Sequence, residues 1–168
     1  MGKYHSYLEE SDLFIDLSRD QIDMIEEIST EISIKPGEMI FEEGSRETEV
    51  YIILKGKVEI LFNPDLVSPT RAGHREYQTI AVLYEGQIFG EIALVDEGIR
   101  SAGARTSSSG ATLLRFKRDR FLHFCTLNPE IGFKIMFNLA AGIGQKIRNA
   151  GMRIRESLLY STKASEDQ

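Results

Sequence analysis

The sequence predicts a mainly β protein, a sandwich or barrel of short strands with helices at both ends. Three observations predict it. Between Ile32 and Phe116 the apolar residues recur with period two, as they do in strands with one buried face. Turn residues punctuate that region at Pro36-Gly37, Gly44, Gly56 and Gly86, and many short strands at close spacing favour a sandwich or barrel. Before and after it, the apolar spacing becomes helical. At 168 residues the chain fits one domain with a sound core. The expected layout is a single unit, 1–168, with helices over 1–30, strands over 31–117 and helices over 118–168.

Each element follows from local chemistry. Leu13, Phe14 and Leu17 are spaced for a short helical face. Ser18-Arg19-Asp20-Gln21 reads as a capping box, in which the serine hydroxyl and the glutamine side chain satisfy each other's backbone N–H groups. The helix it opens carries Ile22, Ile25 and Ile28 on one stripe and should stop near Thr30. Strands are expected around Ile32–Ile34, at Met39–Phe41, at Val50–Leu54, from Val58 to Phe62 beyond Gly56, and at Thr79–Leu83. Asn63 to Gln78, with Pro64, Pro69 and Gly73, reads as a long hairpin loop. Two last strands, Ala102–Thr106 and Ala111–Phe116, are expected to be joined by a turn at Ser107-Ser108-Ser109-Gly110. Arg118–Leu127 reads as a short helix. Asn128-Pro129-Glu130 then opens a long one: a capping side chain, a proline whose missing N–H costs nothing, and an acid at the positive end. Met136, Ala140, Ile143, Ile147, Ala150 and Ile154 follow at spacings of 4, 3, 4, 3 and 4, a heptad seam suited to a dimer, though short for a coiled coil. Gly142 and Gly144 weaken a lone helix but permit close approach of a partner. Ser161–Gln168 should fray.

Composition removes several functions. The formal net charge of −6 lacks the basic footprint of generic nucleic-acid binding. The single cysteine, Cys125, excludes an internal disulfide and fits a reducing compartment; its apolar neighbours suggest a buried, inert thiol. No signal peptide or membrane span is recognisable, so a cytoplasmic, membrane-free protein is expected. His5, His74 and His123 stand apart from other metal-ligand residues, so no metal site is expected. Gly142-Ile143-Gly144-Gln145-Lys146 echoes a phosphate loop without its ending or its preceding strand. Lys146, Arg148, Arg153 and Arg155 read as a solvated basic face. With no nucleophile elbow either, no catalytic residue or cofactor is expected and the chain is not read as an enzyme.

One stretch carries a chemistry of its own: Phe89-Gly90-Glu91-Ile92-Ala93-Leu94, followed by Arg100-Ser101-Ala102. Gly90 permits a tight turn or a close backbone approach. Glu91 can accept hydrogen bonds from hydroxyls. Ile92 to Val95 can form one helical turn, and Arg100 offers a planar fork of donors that suits phosphate. Together these suit a ligand with one phosphate and a sugar hydroxyl. The plainer reading is a structural Glu91–Arg100 ion pair across a loop.

The stretch resembles the phosphate-binding cassette of the cyclic nucleotide-binding domain family, which includes bacterial catabolite activators and the regulatory subunits of cyclic-AMP-dependent kinase. The likeness covers roughly residues 13–155. It implies a β-roll of double-stranded β-helix (jelly-roll-like) type, followed by a short helix and a long C-terminal helix. It implies that Glu91 accepts from the ribose 2′-hydroxyl and Arg100 binds the cyclic phosphate, with Phe89, Gly90, Ile92, Ala93, Ser101 and Ala102 shaping the site. The implied ligand is cyclic AMP, ahead of cyclic GMP on family frequency. Two positions depart from the family: Gly103 replaces the usual Thr or Ser, and Lys146-Ile147 replaces the bacterial activator's pair of hydroxyl residues that meets the adenine. Gln145 and Asn149 are then the candidate base contacts. The resemblance also implies a homodimer through the C-terminal helix. The 14 residues from Arg155 to Gln168 are too few for a helix-turn-helix unit, so direct DNA binding is not expected, and the downstream partner is unassigned. The reading is a cyclic nucleotide sensor whose final helix shifts with occupancy about a joint near Thr126 to Asn128. Its rival is a ligand-free interaction and dimerisation module on the same fold.

Overall fold

A computed structural model describes residues 2–67, 76–96 and 99–166. The chain begins with α1 (His5–Glu9), a 3-10 turn at Asp12–Phe14, and α2 (Arg19–Glu26). The capping box forms as expected: Gln21 N donates to Ser18 Oγ and Ser18 N donates to Gln21 Oε1. The helix ends at Glu26, short of Thr30, because Ser29 already enters the first strand. His5, buried on α1, sits with Nδ1 2.8 Å from Asp23 Oδ1 of α2. That partnership joins residues far apart in sequence, so spacing could not reveal it.

The strands are β1 (Ser29–Ile34), β2 (Met39–Phe41), β3 (Val50–Phe62), β4 (Gln78–Leu83), β5 (Ile88–Phe89) and β6 (Gly103–Phe116). They pair antiparallel in the order β1-β6-β3-β4, with β2 also on β6 and β5 also on β3. Arg105 of β6 grips Glu59, its register partner on β3, through Nε and Nη2 at 3.1 and 2.7 Å. The sheet curls around two apolar clusters. One holds Ile52, Leu114 and Phe116 together with Leu8, Phe14, Ile22 and Ile25 from the N-terminal helices. The other holds Phe41, Tyr51, Ile53, Phe89 and Leu113 beside the cassette.

Two expected breaks are continuous strands instead. β3 runs through Gly56, and β6 runs through the three serines and Gly110. The pairing explains why the sequence read as turns there. Gly56 opposes Ala111, and two residues on, Val58 opposes Thr106. The strand therefore corners at Ser107–Gly110 without leaving the sheet, a bulge that bends the roll. Gly56 and Gly110 both hold positive φ, 93° and 72°. A Cβ on Gly110 would stand 2.8 Å from the Ile34 carbonyl oxygen, so only glycine fits the corner.

β3 and β4 do form a hairpin. Its connection opens with α3 (Pro64–Val67), which the loop reading lacked. Residues 68–75, with Pro69, Gly73 and His74, lie outside the described residues. The cassette's helical turn is α4 (Ala93–Asp96). After β6 come α5 (Arg118–Leu127) and α6 (Pro129–Glu166), so helix continues across most of the stretch expected to fray. Asn128 serves the preceding helix: its Nδ2 donates to the Phe124 carbonyl at 3.0 Å, while its backbone carbonyl accepts from Gly132 N. Ile131, Ile135 and Leu139 bury α6 against the N-terminal core. Met136 and Ile143 of the expected seam also pack there. Cys125 is half-buried, and burial pushes its thiol up to about 11, so it stays protonated and inert at neutral pH. No helix among the described residues is long and apolar enough to cross a membrane.

The architecture is thus mainly β with flanking helices: a β-roll, then a short and a long C-terminal helix.

Candidate functional site

The site is assembled where β5 runs into α4. Tyr51 on β3 and Phe89 on β5 are register partners and stack at 5.2 Å between ring centroids. Phe41 of β2 joins them at 6.1 and 6.0 Å. This aromatic floor lies under Arg100, whose guanidinium stands 3.9 Å from the Phe41 ring centroid, a cation–π contact.

Arg100 is placed by its own backbone. Its N–H donates to Ser45 O at 2.9 Å and its carbonyl accepts from Gly44 N at 2.8 Å. The side chain then turns inward and is 6% exposed. Nη1 donates to the Gly90 carbonyl at 3.1 Å and Nη2 to the Glu49 carbonyl at 2.6 Å. Nε, also buried, has no hydrogen-bond partner among the described residues. Burial pushes the guanidinium below its ordinary pKa, opposed by the fields of Tyr51, Glu47, Glu49 and Glu91. The expected alternative, a Glu91–Arg100 ion pair, does not form among the described residues.

Glu91 is buried too, and its carboxylate Oε1 accepts from Lys146 Nζ of α6. Gly90 makes the turn between β5 and Glu91 at φ 75°. A Cβ there would lie 2.6 Å from Arg100 Nη1 and 2.9 Å from the Glu49 carbonyl oxygen. The Glu91 carbonyl accepts from Leu94 N, which closes α4 onto the acid. In its first two residues α4 is tied to α5, because Arg118 Nε donates to the carbonyls of Ala93 and Leu94 at 3.1 and 3.2 Å.

A cavity of about 700 Å³ opens beside these groups. Phe89, Gly90, Glu91, Ile92, Ala93, Arg100, Ser101 and Ala102 all border it, so the eight cassette residues named from sequence converge on one space. Its lining includes the exposed apolar side chains of Ile80, Ile92 and Ile99. Gln145 and Asn149 are placed differently: both are exposed and hydrogen-bonded to each other at 3.0 Å. The α6 residue that borders the cavity is Lys146. Sequence reading set it on a solvated basic face. A signal was present: Lys146 lies about three helical turns beyond Ile135 on the same line as Ile131, Ile135 and Leu139, which faces the protein. Phe41 and the Glu49 carbonyl were also missed, since nothing local marks them as partners of Arg100. No group of three metal-ligating side chains occurs among the described residues.

The arrangement can hold an anion at a buried guanidinium and a hydroxyl at a buried carboxylate within one cavity. Known proteins resemble the chain in sequence and fold. The chain is 29% identical over 144 residues to a cyclic AMP receptor protein of Thermus thermophilus, covering 86% of this chain and 61% of that one. It is 28% identical over 119 residues to human cGMP-dependent protein kinase 2, covering 71% of this chain but 15% of the kinase. The crystal structure of the Thermus thermophilus catabolite activator protein superposes with a TM-score of 0.70 at 28% identity, over 86% of this chain and 62% of that one. The chain therefore spans under two thirds of the length of each of these three relatives. Residues 31–128 match the model of the cyclic nucleotide-binding domain, and with more than half of its length so matched, the chain belongs to the cyclic nucleotide-binding domain family.

Proposed function

We propose that the chain is a non-catalytic regulatory sensor that binds cyclic AMP, with cyclic GMP the second candidate, and passes occupancy to α6. The observation that carries this reading is Arg100: a buried guanidinium at the edge of a cavity, bonded to neutral carbonyls and not to a carboxylate. A buried charge in that state gains from an anionic partner. In this reading the cyclic phosphate meets Arg100 and Ser101, and the ribose 2′-hydroxyl meets Glu91. Cyclic AMP is placed first because the relative sharing the larger part of this chain is named for it. Two contacts connect the cassette to the C-terminal helices, Arg118 on the α4 carbonyls and Lys146 on Glu91, and a ligand that alters either one biases the pose of α6. A second copy of the chain is the proposed partner, docked along α6; the downstream target is an unidentified protein, and neither DNA nor a membrane enters the reading.

A thermal-shift panel with cyclic AMP, cyclic GMP and AMP, followed by calorimetry, tests it. Cyclic mononucleotides should raise the melting temperature and AMP should not. Arg100→Ala should weaken binding by about 2 kcal/mol or more, since a charged hydrogen-bond partner is lost. Equal cyclic AMP affinity for wild type and variant refutes the assignment. No shift with any cyclic nucleotide leaves the rival, a ligand-free dimerisation module, which the exposed apolar line on α6 favours.

A further inference from the structure

We propose that Lys146 is a built-in occupant of the sugar subsite: its ammonium holds Glu91 in the ligand-free protein, and a nucleotide must displace it. The inference rests on the proposed function, because it takes Glu91 as the acceptor for the ligand's hydroxyl.

Three observations carry it. Glu91 is a buried carboxylate, and a buried charge needs a partner. Its partner is a cation delivered from another element, 55 residues away in sequence. That cation borders the same cavity as Arg100, so it stands beside the space a ligand would use. The donor side differs sharply in burial. The Lys146 side chain is 59% exposed and that of Glu91 8%, so Lys146 can swing into solvent at little cost while Glu91 cannot follow.

The consequences are energetic and mechanical. Before a hydroxyl can reach the Glu91 oxygen that Lys146 holds, the ion pair must open, so wild-type affinity is set below the site's intrinsic value. Opening it also releases α6 from the cassette. One side chain thereby tunes affinity and reports occupancy. The cost is modest because one partner is largely solvated.

Lys146→Ala tests this, since alanine keeps the helix and clears the space. Calorimetry with cyclic AMP should show roughly three- to tenfold tighter binding than wild type. In a Glu91→Gln background the same substitution should change affinity less than twofold, because there is no ion pair left to open. Amide exchange in ligand-free Lys146→Ala should be faster over residues 140–150 than in wild type. Unchanged or weaker binding by Lys146→Ala overturns the proposal and makes Lys146 either a bystander or a ligand contact. Unchanged exchange over that segment overturns it as well. If wild type binds no cyclic nucleotide, the proposed function fails, and the exchange comparison still decides whether Lys146 latches α6.

Discussion

Arg100 and Gly90 work as a pair at the scale of single residues. The guanidinium occupies the volume that any side chain at position 90 would need, and the backbone there holds φ 75°. Gly90→Ala therefore meets two penalties, an unfavourable backbone conformation and a clash with Nη1. It should lower unfolding free energy by roughly 1–3 kcal/mol and weaken cyclic AMP binding by displacing Arg100. Denaturant melts and calorimetry check both, and a variant as stable and as tight as wild type contradicts the account. Gly103 differs: a Cβ there would meet Met39, Glu43 and Leu61 at 3.4–3.5 Å, ordinary contact distances, so a β-carbon alone would be tolerated. Under the cassette, burial and the nearby Glu49 push the Tyr51 hydroxyl up from 10.0 to about 12. The unfolded chain then loses this proton first, between pH 10 and 12, so the folded state binds more protons and stability falls as pH rises through that window. Tyr51→Phe keeps the ring stack without the ionisation. Its melting temperature should decline less than that of wild type between pH 9.5 and 11.5; parallel decline would place the alkaline transition elsewhere.

Elements were legible where their causes are local. The Ser18 box, the α5 span and the Pro129 start of α6 each depend on a few consecutive residues, and each formed as its side chains dictate. The cassette was legible for the same reason, since Gly90, Glu91 and the α4 turn are contiguous. Ser107–Gly110 shows where local reading stops. Serines followed by a glycine at positive φ suit a hairpin turn and a strand corner equally, and the choice is made by pairing with Gly56 on β3, far away in sequence. Asn128 shows the same ambiguity between two helices. Its side chain can close one or open the next, and the Phe124 carbonyl wins. Lys146 was the costliest miss. Charge alone put it in solvent, whereas its place on the core-facing line of α6 sends it to Glu91.

At the scale of the whole molecule, α6 carries two opposed apolar lines, and the helical repeat separates them. Ile131, Ile135 and Leu139 face the core, and Lys146 continues that line. Phe133, Phe137, Ala140, Gly144, Ile147, Gly151 and Ile154 run along the other side with alternating spacings of four and three. Phe133 and Phe137 stack at 6.2 Å, yet they are 72% and 64% exposed. This line keeps Ala140, Ile147 and Ile154 of the expected seam and leaves out Met136 and Ile143, which pack on the core; it is the seam of the proposed dimer. A Cβ at Gly151 would meet nothing within 4 Å, so the chain's own packing does not require that glycine, whereas close approach of a second helix would use it. Ile147 on the partner line directly follows Lys146 on the core line, so in the proposed reading a change in the Lys146–Glu91 contact would turn the seam as well. The proposed dimer can be tested on that geometry. Burying one phenylalanine contributes about 1.5–3 kcal/mol, twice over in a two-fold dimer, and a carboxylate at the same place is unpaired. Phe137→Glu should therefore weaken self-association at least about a hundredfold while leaving the melting temperature nearly unchanged, because that side chain is largely exposed within one chain. Sedimentation equilibrium at tens of micromolar should find wild type at twice the chain mass and the variant at the chain mass. A monomeric wild type, or a dimer that survives Phe137→Glu, assigns α6 no role in assembly through this line and leaves Lys146 as its link to the site.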